Sequence, residues 1–365
     1  MMSSDETRFV PVAFSALPHW AADDHGAAFA AFLISSRRLL QRAAEGAVPA
    51  TPPALLNAAR LACDVSAAGV SPADARLFFE THFVPHRVVQ GEPHGLLTGY
   101  YEPVIAGSRE RTHRFSVPVL RRPADLVNLV AESERGAKAE GLTHARQTID
   151  GLEPYATREE IENGALAGQG LELVWLEDAV DAFFLHVQGS GMIALEDGTQ
   201  SRITYDGKNG HPYTSVGRYV IDAGLFPADK MSLDALKDWL RADLVRGLAA
   251  MRQNKSYVFF RELTGAQAGA ALGAMEIPLT DHRSLAVDTR THALGTPVYV
   301  VAPTLVHAGG PDGFHRLMIA QDVGSAIRGP ERGDIFFGSG DEAGAKAGIT
   351  KHPGNFFVLL PDGLS

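Results

Sequence analysis

The sequence predicts a two-domain fold, mostly β with peripheral helices, and three observations carry that expectation. A chain of 365 residues is long for one compact core. Its 37 glycines and 21 prolines fall in short punctuating clusters, which suit many short strands and turns better than a helical bundle. From Ile277 onward the segments SLAVD, TPVYVV, HRLMIAQD, DIFFG and NFFVLL are short apolar runs separated by turn residues.

The elements follow in order. A helix is expected from about His19 to Leu40, with Phe29, Leu33 and Leu40 on one face. TPPALLNAARLACDV is a second helix, with Pro52 or Pro53 near its first turn. SPADARLFFETHF is a third, in which Ser71 caps free N–H groups, Pro72 fits the first turn and Asp74 suits the helix start. HRVVQ and GLLTGYYEPVI, around Gly91 and Gly95, are strands, as is Phe115 to Leu120. In TREEIENG, Thr157 and Glu160 have capping-box spacing. LEDAVDAFFLHVQGSG is either an amphipathic helix or a strand, ending at a glycine-rich turn. SLDALKDWLRADLVRGLAAMRQN is one or two helices with Leu236, Leu240 and Leu244 on one stripe, and SYVFFRE is a strand. This order permits a domain of early plus late strands with a middle domain inserted, though patterning alone leaves the insertion open.

Composition removes several function classes. A formal charge of −10 disfavours general nucleic-acid binding, which needs local positive charge. The one basic stretch, Arg109, Arg111, His113, Arg114, Arg121 and Arg122, reads first as a solvated strand rim and second as a contact for an anionic ligand. A single cysteine, Cys63, allows no internal disulfide and no cysteine-rich metal site, and its apolar setting suits a small buried hydrophobe. The 14 histidines form no HExxH or other metal pattern, so no metal or cofactor is expected. His186, His211, His282 and His292 read as structural. GQGLELVW lacks the lysine of a phosphate loop, GSGDEAGAKAG follows no dinucleotide fingerprint, and no GxSxG elbow occurs. No nucleotide partner is expected. The first twenty residues show no secretory signal and no apolar run is long enough to span a bilayer, so a soluble chain is expected.

The acids between Thr280 and Asp334 carry the chemistry. Asp281, Asp288, Asp322 and Asp334 stand at or next to strand ends, beside turn residues. Asp322 ends the apolar run of HRLMIAQD, and Asp334 directly precedes IFFG. Both can cap turns by accepting backbone N–H groups. Both can also be held partly out of water near a second carboxylate, which raises a pKa and makes a general acid usable near neutrality. Glycoside cleavage suits such acids, because the leaving oxygen needs a proton while positive charge grows on the sugar. Sequence spacing leaves open whether one acid or two take part. YYEP offers Tyr100, Tyr101 and Glu102, as sugar-stacking faces or as core. Gln188 in HVQGSG and the run YDGKNGHPYTSVG offer donors on turns, suited to amino-sugar substituents or simply to loop structure.

At these residues the sequence resembles the membrane-bound lytic murein transglycosylase A family. The resemblance rests on LTGYYEP at Leu97–Pro103, HVQGSG at His186–Gly191, YDGKNGHPYTSVG at Tyr205–Gly217 and SYVFF at Ser256–Phe260. It continues through SLAVD at Ser284–Asp288, AQDVGSAIRG at Ala320–Gly329, DIFFGSGDEAG at Asp334–Gly344 and a closing HPGNFFVL. These motifs occur in the family's order and cover the chain from about Leu96.

The resemblance implies a double-psi β-barrel domain over 1–103 and 256–365, with a smaller β-rich domain inserted at 104–255 and the glycan in the groove between them. It implies cleavage of the β-1,4 bond between N-acetylmuramic acid and N-acetylglucosamine in peptidoglycan, leaving 1,6-anhydromuramyl ends. The catalytic acid falls on Asp334 and its companion on Asp322. Thr98, Tyr100 and Gln188 are implied to line the groove, with Lys208, Asn209 and Asp288 near the site. The partner is then the glycan strand, the chain a monomer, and the location the periplasm. Outer-membrane association would come through an N-terminal segment preceding the present start, because Cys63 is too far inside to be a lipidation site. Two rivals are a peptidoglycan hydrolase using both aspartates and a non-catalytic wall-binding module.

Overall fold

The computed structural model describes residues 7–46, 51–67, 69–89, 95–129 and 143–361. Gln90, expected as the last residue of the strand HRVVQ, and Gly91 next to it lie outside the described residues. The chain divides into two compact units, residues 1–100, 272–338 and 350–365 in the first, and 101–271 with 339–349 in the second. The architecture is mixed β/α with two large sheets and an inserted unit.

The first unit opens with strand β1 (Arg8–Pro11) and helices α1 (His25–Ala44), α2 (Pro53–Ser66) and α3 (Pro72–His82). Helix α1 starts at His25, not near His19, because the Asp24 carboxylate accepts from the Ala27 N–H at 3.0 Å and caps the helix there. The residues before it form short 3-10 turns. Its buried face is Phe29, Phe32, Ser36 and Leu39, while Leu33 and Leu40, expected on that face, are only half-buried. Ser71 and Asp74 form a reciprocal capping box on α3, with Pro72 in its first turn. The phenylalanines of α1 and α3 meet edge to face, with Phe29 and Phe78 at 5.1 Å. Phe83, at the start of strand β2 (Phe83–Val89), lies 5.7 Å from Phe32. Strand β3 (Gly95–Glu102) follows.

The second unit contains strands β4 (Val104–Ser108), β5 (Val117–Leu120), β6 (Leu126–Asn128), β7 (His144–Thr148), β8 (Gly151–Glu153) and β9 (Glu172–Leu176), with a helical turn α4 (Arg158–Glu160) between β8 and β9. Helix α5 (Ala179–Gln188) and strands β10 (Ser190–Leu195) and β11 (Gln200–Lys208) come next. Helices α6 (Val216–Asp222), α7 (Leu233–Ala242) and α8 (Leu244–Met251) precede strand β12 (Val258–Glu262). One sheet has the order β12-β11-β10-β4-β9-β5, and β6, β7 and β8 form a small separate sheet. Thr157 and Glu160 make the expected capping box at α4. The ambiguous run LEDAVDAFFLHVQGSG forms helix α5, and its last two residues, Ser190 and Gly191, begin β10. Gly189, at φ 79°, ends α5 in the left-handed conformation, and a Cβ on Gly191 would stand 2.5 Å from Leu185 Cδ1. On α7 and α8, Leu236 and Leu240 are buried, but Leu244 is exposed because Asp243 caps a new helix there and breaks the stripe.

After the insert the chain forms β13 (Ser284–Val287), β14 (Pro297–Ala302), a short helix α9 (Val306–Gly309), β15 (Phe314–Asp322), β16 (Arg332–Ser339), α10 (Asp341–Ile349) and β17 (Lys351–Pro361). The large sheet runs β1-β2-β17-β14-β15-β13-β16-β3, and β17 pairs with β3 as well, through Lys351 opposite Thr98. Leu317, Ile319, Tyr299 and Leu359 from these strands join the aromatic face of α1 and α3 in one buried core.

The return crossing between the units follows β12. β12, placed with the outer domain, pairs with β11 from Ile203 opposite Glu262 to Lys208 opposite Val258, so the second unit extends to Ala271. The glycine-rich DEAGAKAG is helix α10 and belongs to the second unit, where Gly344 comes close under the Tyr101 ring.

Glu102 ties this second unit together. Fully buried, it accepts from Arg202 Nε at 2.8 Å and Nη2 at 3.1 Å, and from Ser339 Oγ at 2.6 Å. Removing one partner of such a pair strands the other charge away from water. Glu102→Ala is therefore expected to cost about 3 kcal/mol in chemical denaturation, and a loss below about 1 kcal/mol would contradict this account of the pair.

Candidate active site

Strand β13 builds the site by pairing on both sides. Ala286 lies opposite Asp322 of β15, in parallel, and opposite Asp334 of β16, antiparallel. With strands about 4.8 Å apart, the two aspartate Cα atoms are about 10 Å apart. The register between β13 and β15 shifts at this point, so Gln321 is an extra, bulged residue. Its buried amide donates to Ala31 O at 2.9 Å and Ser35 Oγ at 2.8 Å on α1, and accepts from Ser284 Oγ. That anchor turns Asp322, the next residue, toward Tyr100.

Strand β3 lies beside β16, and Thr98 and Tyr100, two apart, share a face. Thr98 Oγ1 donates to Asp334 Oδ1 at 2.5 Å, and the Tyr100 hydroxyl donates to Asp322 Oδ2 at 2.8 Å. The Tyr100 ring rests 5.2 Å from Phe336. The other oxygen of Asp322, Oδ1, accepts from the backbone N–H of Ala274 at 3.0 Å and of Val323 at 2.9 Å. Gly273 permits this approach, since a Cβ there would stand 2.6 Å from Gln321 O. Both oxygens of Asp322 are thus committed. Among the described residues, Asp334 Oδ2 receives no hydrogen bond.

Both carboxylates keep some surface open yet stand among enough protein that burial dominates their chemistry. Burial pushes Asp322 up to about 6, the Val323, Tyr100 and Ala274 donors pull it back, and the charge of Asp334 adds to the rise. Burial likewise raises Asp334, against the opposing pull of Thr98 and the Arg332 guanidinium. Tyr100 is held well above its ordinary value by burial and by the two aspartates, so it remains a donor at neutral pH.

Thr98, Tyr100, Asp322 and Asp334 therefore come together. The remaining expectations fare differently. Asp288 stands at the same end of β13 but is buried, accepting from Arg290 Nε at 2.9 Å and the Gly329 N–H at 2.8 Å, with Arg328 at 3.9 Å. It fastens the loop after Asp322. Asn209 is likewise held by its own unit. Its buried amide donates to Ala156 O and Lys255 O, each at 2.8 Å, and accepts from the Tyr257 N–H at 2.9 Å. Lys208 is half-buried on β11 opposite Val258, and Gln188 ends α5 with its Oε1 accepting from the Tyr101 N–H at 3.1 Å, both within the second unit.

The basic stretch is engaged within its own unit. Arg109 pairs with Glu262 at 2.5 Å, Arg114 with Glu177 at 2.8 Å, and Arg122 donates to the Asp206 and Leu126 carbonyls. His186 is buried between Tyr257 and Phe260, at ring distances of 4.3 and 5.5 Å, and burial holds it well below its ordinary pKa. Among the described residues no group of three or more histidine, cysteine, aspartate or glutamate side chains is placed to hold a metal ion. Arg332, absent from the sequence reading, is part of the cluster. It lies two residues before Asp334 on β16, and that period-two spacing is the signal that could have found it.

Two family models match the chain, the MltA specific insert domain over residues 96–261 and the 3D domain over residues 283–360. The membrane-bound lytic murein transglycosylase A of Vibrio cholerae is 35% identical over 270 residues, covering 72% of this chain and 65% of that protein. The chain thus aligns with a little under two-thirds of that relative's length. The crystal structure of a membrane-bound lytic murein transglycosylase from Agrobacterium tumefaciens is 35% identical, covers 97% of each chain and superposes with a TM-score of 0.86. A structure of Escherichia coli MltA with bound chitohexaose is 28% identical over 99% of this chain and 93% of that one, with a TM-score of 0.67. Motif order, paired carboxylates and near full-length structural agreement together show that this chain belongs to the membrane-bound lytic murein transglycosylase A family.

Proposed function

We propose that this protein is a lytic transglycosylase that cleaves the β-1,4 bond between N-acetylmuramic acid and N-acetylglucosamine and leaves a 1,6-anhydromuramyl end, with Asp334 as the single acid and base. The observation that carries this reading is the asymmetry of the two carboxylates. Asp322 spends both oxygens on donors, whereas Asp334 has Oδ1 pinned by Thr98 and Oδ2 unbonded among the described residues. A proton on Oδ2, favoured by burial, is available to a glycosidic oxygen. As that C–O bond breaks, positive charge grows on the muramyl C1 and the negative charge left on Asp334 opposes it. The C6 hydroxyl oxygen then bonds to C1, and its proton passes to Asp334, restoring the acid with no water consumed.

Asp322 serves as a fixed neighbour that disfavours ionisation of both groups at once. The chitohexaose bound in the Escherichia coli relative supports an amino-sugar oligomer as the ligand class. The pairing of β3 with β17 and of β17 through β14, β15, β13 and β16 back to β3 supports the double-psi barrel as the frame. On this reading the protein acts as a monomer on glycan strands in the periplasm. The strand separation also suits a two-acid hydrolase, but a carboxylate with both oxygens occupied is a poor base for water.

Asp334→Asn is expected to keep glycan binding and lose turnover by about a thousandfold or more; near-normal release of glycan fragments from purified sacculi by this variant would sink the assignment. Asp322 yields a stability prediction. Because its folded pKa lies above the unfolded value, the folded state gains below about pH 4 and loses as pH rises through about 6. Asp322→Asn is expected to stabilise the protein by about 2 kcal/mol at pH 7.5 and by almost nothing near pH 3.5. Equal effects at both pH values in urea denaturation would contradict the burial of that charge.

A further inference from the structure

Arg332 has a connection to Asp334 that runs through a third residue. Its Nη2 donates to Thr98 Oγ1 at 2.9 Å, and Thr98 Oγ1 donates to Asp334 Oδ1 at 2.5 Å. The guanidinium is itself held, with Nη1 donating to its neighbour's carbonyl, Gly333 O, at 2.6 Å. A guanidinium has only donors, so the contact at Thr98 uses an oxygen lone pair and sends the one hydroxyl proton elsewhere. It goes to Asp334 Oδ1. An oxygen that already receives a short hydrogen bond is the poorer place for the acid proton, which leaves Oδ2.

We propose that Arg332 is a positioning residue that locks the Thr98 hydroxyl as a donor to Asp334 Oδ1, so that the transferable proton of Asp334 resides on Oδ2. The proposal rests on the reading of Asp334 as the acid. It goes beyond that reading by giving the acid a defined proton-bearing oxygen and a built-in bias toward its ionised form. The bias matters for a group that must both give and take a proton. Burial alone would hold the proton too firmly, and the cation acting through Thr98 moves the balance back.

Among the described residues, the groups that face Asp334 are few. Thr98 and Tyr100 come from β3, Arg332 from β16 itself, and Asp322 from β15, while β13 presents the uncharged Ala286. Asp322 and Tyr100 act with the opposite sign to Arg332, or as neutral donors, so Arg332 is the cation in this set. Its burial lowers its own pKa, yet an arginine remains charged through the working range.

The test measures the alkaline limb of the kcat/KM profile and, independently, the carboxyl titration of Asp334 by carbon NMR. Arg332→Met removes the cation and the donor, so both measurements are expected to move upward by about one pH unit. Arg332→Lys, which keeps a charged donor, is expected to return most of the shift. In a Thr98→Val background the same Arg332→Met change is expected to move the titration less than half as far. A merely structural role would lower kcat and leave the limb in place. A limb and titration unmoved by Arg332→Met, or moved equally with and without the Thr98 hydroxyl, would overturn the inference while leaving Asp334→Asn inactive. If Asp334→Asn is instead active, the functional reading fails, and the NMR titration alone still decides the hydrogen-bond chain.

Discussion

The double pairing of one short strand is the constraint on which the site depends. Ser284–Val287 is hydrogen-bonded to Phe314–Asp322 on one side and to Arg332–Ser339 on the other, so the two aspartates flank Ala286 in fixed register. A one-residue slip of either neighbour would send its carboxylate to the opposite face. Thr98 and Tyr100, on the strand beyond Arg332–Ser339, meet the two acids. Site geometry is thus set by main-chain pairing, with side chains only completing it.

The helices before this sheet contribute by holding the bulge. Gln321 is buried and bonded to α1 through Ala31 and Ser35, while Phe29, Phe32, Phe78 and Phe79 pack the same helix down. An amide inside an aromatic core is costly unless its donors and acceptors are satisfied, and here they are. The arrangement converts helix packing into a defined direction for Asp322. Asp288 does the same for the following loop, by gripping Arg290 and the Gly329 N–H.

Much of this was legible in the sequence where local chemistry decides it. The caps at Ser71 and Thr157, the prolines at helix starts and the apolar strands after Ile277 all rest on short-range rules, and they stand in the structure. The acids were legible as strand-end carboxylates. Their register on either side of Ala286 was not, because it follows from a parallel pairing between strands separated by the β14 excursion, and no local pattern reports register across such a gap. Asn209 and Asp288 raise the same difficulty. A polar residue in a turn-rich motif reads equally as ligand contact or as buried clamp, and only the distances to Tyr257 and Gly329 separate the two. Val258–Glu262 has strand character in the sequence, with no indication of which sheet receives it.

The central claim is that one acid, with the sugar's own hydroxyl as nucleophile, suffices for cleavage. The most direct measurement is mass spectrometry of the fragments released by the unmodified protein from sacculi in heavy-oxygen water. The account predicts anhydro-ended fragments that lack the elements of water and carry no label. Reducing muramyl ends bearing the heavy oxygen would contradict it.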